Sequence, residues 1–520
     1  MIKKISTVAL AALICLPTLA SAGAGGSAER VTDLERQMAE MNKAFNAQMQ
    51  AMKNEIDALK AKNAEMGKEV ASTSDAVKKG FDAAEWTKKV SLGGEVTFRG
   101  YNIQNVWDFN DNSDSDNRDL FRLKGSLWAD FNATDDVTVR IKATNQNWGE
   151  GVTYDQSNPL ATDNAMDNNS NKLFLDNAYV NVKNLLGLPV EGTFGRQNVI
   201  YGSGFVVLDG QSQFASTSIY FDGVKLRWNI TDNLMLDGLY LKDQENNPRN
   251  NYNPTTTATT GGHGDDITLS GFYLTNKKCA ITGMQQELYA LNRNDEWMNK
   301  NIWMYGARLS DKLANGIDYS AEGAIQKGKA ALNKDQDAWG AKLEAGYTFK
   351  DTACKPRVYA QYAFMSGDDA GTQDSEQWDV FYGGWPQWGD LLAWKYLNLG
   401  AGNNLSKVYN YSAYSNVIGE AIYSNLQIAT VGTSANLTEK LTANLSYSKL
   451  NFDETYNALG AVDDDFGDYY QANLKYQYNK YLSFSLYGGL LEPGKAFTEN
   501  PSGAMNDNAT ELYWETQFKF

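Results

Sequence analysis

The sequence predicts an all-β fold: an antiparallel transmembrane β-barrel of about 18 strands, preceded by an N-terminal α-helical coiled coil. Three observations carry this. Apolar and polar residues alternate from Trp86 to the end of the chain. The connections between alternating segments are short and long in turn. Between Val31 and Val70, apolar residues recur at spacings of three and four. The first two belong to strands that face lipid on one side and water on the other, with tight turns at one end of the barrel and long loops at the other. The third is a heptad seam.

The alternation is clearest in the last ten residues, ELYWETQFKF, where Leu512, Trp514, Thr516, Phe518 and Phe520 fall on one face. Tyr513, Glu515, Gln517 and Lys519 fall on the other. A strand that stops at the last residue has to pair with something earlier, and pairing with the first strand leaves no open sheet edge. A terminal Phe on such a strand resembles the closing strand of bacterial outer-membrane barrels.

Residues 1–22 read as a secretory signal peptide, with Lys3 and Lys4 at the basic end, an apolar run from Val8 to Leu16 and a small-residue site at Ala20-Ser21-Ala22. No later apolar run is long enough for a helical membrane span, and the mean hydropathy is −0.49. A barrel is compatible with that value, because only every second residue has to face lipid. The net charge of −16 argues against a nucleic-acid partner. Cys279 and Cys354 remain once the signal is removed, and their positions on separate turns argue against a disulfide. No cofactor is expected: haem-attachment, Walker and zinc spacings are all missing.

A flexible lead spans 23–30. The seam of 31–70 follows: Val31, Leu34, Met38, Met41, Phe45, Met49, Met52, Ile56, Leu59, Asn63, Met66 and Val70. The step of four from Phe45 to Met49 is a stutter, and Asn63 falls at an a position. Such a stripe predicts a homo-oligomer formed through residues 31–70, in the periplasm. A polar linker covers 71–88. The barrel, 89–520, reads as strands at 89–104, 119–131, 137–147, 172–184, 189–198, 216–229, 234–242, 266–275, 279–292, 300–310, 316–327, 336–349, 356–365, 425–436, 440–452, 467–478, 481–491 and 511–520. A barrel of this size holds an aqueous channel.

The faces opposite the apolar rows point into that channel. They carry Arg99, Arg122, Lys124, Arg140, Lys142, Lys183, Lys225 and Arg227, a basic arc inside an acidic protein. Acidic lumen positions are fewer: Glu95, Asp130, Glu191, Glu322, Glu344 and Glu515. Fixed cations in a narrowed pore concentrate anions, and Arg offers a planar fork for carboxylates. The plainer reading is that opposite charges brace the wall across strands. The loop from Ser366 to about Asn425 holds Trp378, Trp385, Trp388 and Trp394 within 17 residues, which suggests a loop folded into the mouth.

Three motifs in order, DNAYVNVK (176–183), EGTFGRQNVIYGSGF (191–205) and FDGVKLRWNI (221–230), resemble the alginate-export family of outer-membrane barrels. WDVFYGGWPQWGD (378–390) is similar to that family's aromatic loop. The resemblance covers about Val90 to Phe520. It implies an eighteen-stranded barrel and a conduit for an anionic polysaccharide. It also implies roles for Arg196, Lys225, Arg227 and Asp222, although Arg196 has the wrong parity for the lumen unless a bulge lies near Gly195. The coiled coil lies outside the family's usual barrel.

An enzyme is not expected. The one His, His263, sits in a Gly-rich loop with no partner pattern for a nucleophile. The reading is therefore a bacterial outer-membrane porin. It contacts membrane lipid and passes small or extended anionic solutes by passive diffusion, with sugar acids and anionic polysaccharide as candidates. The alternative is a structural outer-membrane protein that tethers the envelope through its coiled coil and conducts little or nothing.

Overall fold

The structure is a computed structural model that describes residues 27–82, 89–106, 109–111, 117–147, 173–208, 220–244, 266–296, 299–331, 333–369, 371–383, 387–399, 423–455, 463–499 and 505–520. The signal segment and His263 lie outside the described residues. The chain divides into two compact units, Met1–Thr87 and Lys88–Phe520.

The first unit is one helix, α1, over Ser27–Asp82. Its residues are mostly Ala, Glu, Lys, Gln and Met, which lose little rotamer freedom in a helix, and it holds no Pro. The helix begins inside the span read as a lead and covers most of the span read as a linker. The reason is local: Ala71-Ser72-Thr73-Ser74-Asp75 is polar but lacks the Gly or Pro that ends a helix. The described seam side chains from Met38 to Val70 are exposed, Met41 at 67% and Phe45 at 60%.

The second unit is a single closed sheet of 18 antiparallel strands. They are β1 Val90–Gln104, β2 Arg118–Asn132, β3 Val137–Asn147, β4 Leu173–Val182, β5 Val190–Gln197, β6 Phe221–Asn229, β7 Leu234–Gln244, β8 Ile267–Asn276, β9 Gln285–Asp295, β10 Lys300–Lys312, β11 Ile317–Ala331, β12 Lys334–Thr348, β13 Arg357–Met365, β14 Leu426–Asn436, β15 Leu441–Asn451, β16 Asp465–Gln477, β17 Leu482–Pro493 and β18 Ala509–Lys519. Each pairs with its neighbours in sequence, and β1 pairs with β18. Two short helices lie in loops, α2 at Asp390–Leu399 and α3 at Lys495–Thr498.

Closure follows the terminal alternation. Glu95 to Gln104 lie opposite Lys519 to Thr510, and Phe520 exchanges backbone hydrogen bonds with Gly94 at 3.0 and 3.2 Å. Gly94 suits this place because a Cβ there would come within 2.6 Å of the Phe520 ring. The outer face is a continuous apolar band: Leu92, Phe121, Leu127, Ile141, Val431, Leu445 and Leu512 are all more than 45% exposed. Polar and charged residues alternate with them on the lumen side.

Two strands depart from the expected pattern. The ninth begins at Gln285 rather than 279, because Cys279 to Met284 make a wider turn closed by Cys279 N–H to Met284 O at 3.0 Å. Its Cys279 and the Cys354 thiol are both free. In β4 the register shifts opposite Lys142 and Ala143, so that Asp176 is an extra, bulged residue.

Candidate functional site

The lumen face of β1 to β6 positions Arg99, Arg122, Lys124, Arg140, Lys142, Lys225 and Arg227, as period two requires. Two other expected residues stand elsewhere. Lys183 lies past the end of β4, exposed at the turn, with its backbone N–H donating to Asp136 O. Arg196 faces outward, because the β4–β5 and β5–β6 registers run without a bulge and set it opposite Ala178 and Asp222. There it forms a two-pronged pair with Asp222 (2.7 and 2.6 Å) and stacks over Tyr220.

Most of the arc is neutralised. Arg99 is buried, donating to Glu515 at 2.6 Å and to Asp390 at 3.0 Å, and it lies 4.1 Å over the Tyr513 ring. Lys142 meets the bulged Asp176 at 2.6 Å, and Arg140 meets Asp130 at 3.6 Å. Arg227 holds Asp237 through two hydrogen bonds, 2.7 and 2.8 Å. Arg122 donates to Gln146 Oε1 at 2.9 Å. Asp176, Asp237 and Asp390 escaped the sequence reading: the first sits on a bulge, and the last comes from a distant loop. Lys124 and Lys225 differ from the others. Neither has a carboxylate within ion-pair distance or a hydrogen-bond acceptor among the described residues, and Lys124 is only 2% exposed.

The aromatic loop after β13 does turn into the bore. Trp378, Phe381, Tyr382, Trp388 and Leu391 are buried, while Trp385 lies outside the described residues. The loop is anchored on both sides of the lumen. On one side, Asp379 pairs with Arg293 at 3.0 Å and Lys300 at 2.9 Å. Burial works to raise the Asp379 carboxyl, and the two cations outweigh it, holding it well below the usual carboxylate range. On the other side, Asp390 at the start of α2 meets Arg99 and Tyr101. Here burial prevails over Arg99 and Arg122, and the carboxyl is pushed up to about 6. Between the anchors, Trp388 Nε1–H donates to Gln361, and the Lys342 ammonium donates to Gln387.

A second loop also folds inward, which the sequence reading missed. Residues Val199 to Leu208, after β5, bury Tyr201, Phe205, Val206 and Val207. Tyr201 stacks on Tyr273 at 4.0 Å and donates to Asp237. The two loops join: Tyr382 N–H donates to Val206 O, Leu208 N–H donates to Tyr382 O, and Phe205 stacks on Trp378 at 5.5 Å. The apolar run FVVL (205–208) was the available signal, since a solvated loop has no need of it.

Cavities lie along the strands of the barrel. One of about 470 Å³ is polar, with Asp130, Arg140, Asn181, Glu191, Thr193 and Lys225 in its lining. The other, about 1170 Å³, runs along Gly346, Tyr359, Gly432, Ser446, Gln471 and Gly489. These six are successive register partners on β12 to β17, at lumen-facing positions.

A closed antiparallel barrel with charged side chains inside and loops drawn into its bore has the porin-like architecture of a channel. The chain belongs to the alginate-export family, which it matches over residues 88–510. No curated protein sequence matches it. Solved structures that resemble it include three from Pseudomonas aeruginosa. OccK11 (OpdR) is 11% identical, with a TM-score of 0.48 over 83% of this chain and 95% of that one. OccK2 (OpdF), solved in complex with glucuronate, is 12% identical, with a TM-score of 0.48 over 83% and 98%. The outer membrane protein OprD is 13% identical, with a TM-score of 0.48 over 83% and 93%.

Proposed function

We propose that this protein is an outer-membrane channel that passes small or extended anionic solutes by passive diffusion, with sugar acids and anionic polysaccharide as the candidates. The observation that carries the reading is that two cations on the β1 to β6 wall, Lys124 and Lys225, have no carboxylate partner among the described residues, while Arg99, Arg140, Lys142 and Arg227 are neutralised. A paired cation shows a passing solute little net charge. An unpaired one raises the local anion concentration and lowers the barrier to passage. Around Lys225, Asn181 and Thr193 add hydrogen-bonding groups suited to a hydroxyl-bearing solute. Membership in the alginate-export family supports the same solute class.

In this reading residues 1–22 direct export. The short-turn end of the barrel faces the periplasm, so α1, which precedes β1, is periplasmic and self-associates as a coiled coil through the seam at 31–70. A second reading, a structural envelope protein with little conductance, is favoured by the tight joining of the two inward loops. Planar-bilayer recording separates the two. Steady conductance with an anion-selective reversal potential in a salt gradient is expected, and selectivity falls in Lys124→Gln/Lys225→Gln. A chain without steady conductance overturns the channel reading.

A further inference from the structure

The exposed seam of α1 carries more information than self-association alone. Resting on the proposed self-association, we infer that α1 pairs with α1 of a second copy as a parallel, in-register, two-stranded coiled coil. The partner is thus another copy of this chain, in one fixed register.

Three features of the helix specify this arrangement. The first is its uneven seam. The step of four from Phe45 to Met49 breaks the heptad once, well toward the N-terminal side of a helix that spans Ser27–Asp82. Parallel, in-register partners meet stutter to stutter. Antiparallel partners at full overlap would set Phe45 opposite Ala64, and the knobs of one helix would miss the holes of the other.

The second is Asn63, the one polar residue in the seam between Val31 and Val70. In register, its amide faces its own counterpart and the two can exchange a hydrogen bond. A slip of one heptad sets it against Ile56 or Val70 and leaves an amide buried without a partner, which disfavours the slipped register. The antiparallel alternative at full overlap leaves the same amide opposite Asn46, outside the seam.

The third is charge. With Met49 and Ile56 at a, Glu55 falls at g and Lys60 at the following e position, and the two face one another across a parallel pair. From the stutter to Val70 the a positions are Met49, Ile56, Asn63 and Val70, and d holds Met52, Leu59 and Met66. The β-branched Ile56 and Val70 at a, with Leu59 at d, favour two strands.

The test uses the full chain in detergent, with Cys279→Ser and Cys354→Ser removing both native thiols of the mature chain. Single cysteines are then introduced at a d position, Leu59→Cys, and at an outward f position, Asn54→Cys. On mild oxidation Leu59→Cys is expected to give covalent dimer at least tenfold faster than Asn54→Cys. In the Leu59→Cys background, Glu55→Lys slows linking severalfold and Glu55→Lys/Lys60→Glu restores it. The oligomer mass of the unoxidised chain is measured in parallel. A dimer in which Leu59→Cys links no faster than Asn54→Cys overturns the parallel register but keeps self-association. A trimeric mass overturns the two-stranded assignment. A monomeric mass overturns both the register and the self-association beneath it.

Discussion

The two walls of the barrel solve different problems. On β1 to β6 almost every lumen position holds a charged or hydrogen-bonding side chain, and most of these are locked to one another. On β12 to β17 a whole row across the sheet is small or uncharged: Gly346, Tyr359, Gly432, Ser446, Gln471 and Gly489. The cavity along the second wall, about 1170 Å³, exceeds the 470 Å³ beside the first. Of these two cavities, the larger lies beside the uncharged row. The comparison also shows that counting lumen cations overstates the field they make, since only those without a carboxylate partner act at a distance.

If the charged wall is a brace, breaking it should cost more than breaking a pair elsewhere. Arg99 is buried between Asp390 and Glu515. Arg99→Ala strands the buried Asp390 and the partly buried Glu515, and should destabilise the folded barrel by about 3–5 kcal/mol. Arg357→Ala, on the other wall, removes pairs with Asp318 and Glu344 that are more open to solvent, and should cost clearly less. Heat- or urea-unfolding, followed as the shift of the folded band on a gel, measures both. Equal losses would remove the distinction.

The next effect concerns the loop that spans the two sides. Its anchors should respond to pH in opposite directions. Asp390 has its carboxyl raised from an ordinary 3.8 to about 6, so the seated loop binds that proton more tightly than the released loop. Seating is therefore favoured as pH falls from about 6 to about 4, and that gain is lost as pH rises through 6. Asp379 is depressed, so its contribution is present above the ordinary carboxylate value and is lost in stronger acid. Loop openings, read as conductance steps in bilayers, should become rarer between pH 7 and pH 4.5, on the order of tenfold. Asp390→Asn should flatten that slope. A slope that survives the substitution assigns it to another group.

Within the first wall, the unpaired lysines should matter most for selectivity. Lys124→Gln removes one charge on the lumen face that has no carboxylate partner among the described residues, and should lower the anion-to-cation permeability ratio roughly fivefold, about 1 kcal/mol. Reversal potentials in a salt gradient measure it. An unchanged ratio would mean that the paired residues set the field after all.

The barrel was legible in the sequence because period two and the short-long alternation repeat at every strand, so each strand corroborates the next. Seventeen of the eighteen strands fall close to the expected spans, and the exception, β9, follows a turn without a Gly-Asn or Asn-Gly signal. The lumen was legible as a set of facing positions, which parity alone determines. Its ion pairs were not. Asp176 reaches Lys142 only through a bulge, and Asp390 reaches Arg99 across 291 residues of chain. Arg196 was a candidate only through the family motif and an expected bulge near Gly195, and the unbroken β4–β5 register, as its parity requires, turns it outward. The inward turn of 199–208 shows in FVVL only once a loop is allowed to have a core of its own.

The smallest effect asks whether the two walls share one field. Ser446→Lys places a cation in the uncharged row of the second wall, at a position flanked by Gly432 and Gln471. The introduced ammonium meets no carboxylate in its own row, so it should stay unpaired, as Lys124 does. Its influence on a solute passing the opposite wall is limited by screening, with a Debye length of about 10 Å at 0.1 M salt. The expected gain in anion preference is therefore under about twofold at 0.1 M salt, and it should grow as the salt is lowered. A gain as large as the Lys124→Gln loss would place both walls within reach of the same solute and make the bore narrower, in electrostatic terms, than its cavities suggest. No gain at low salt would put the solute path entirely on the β1 to β6 side.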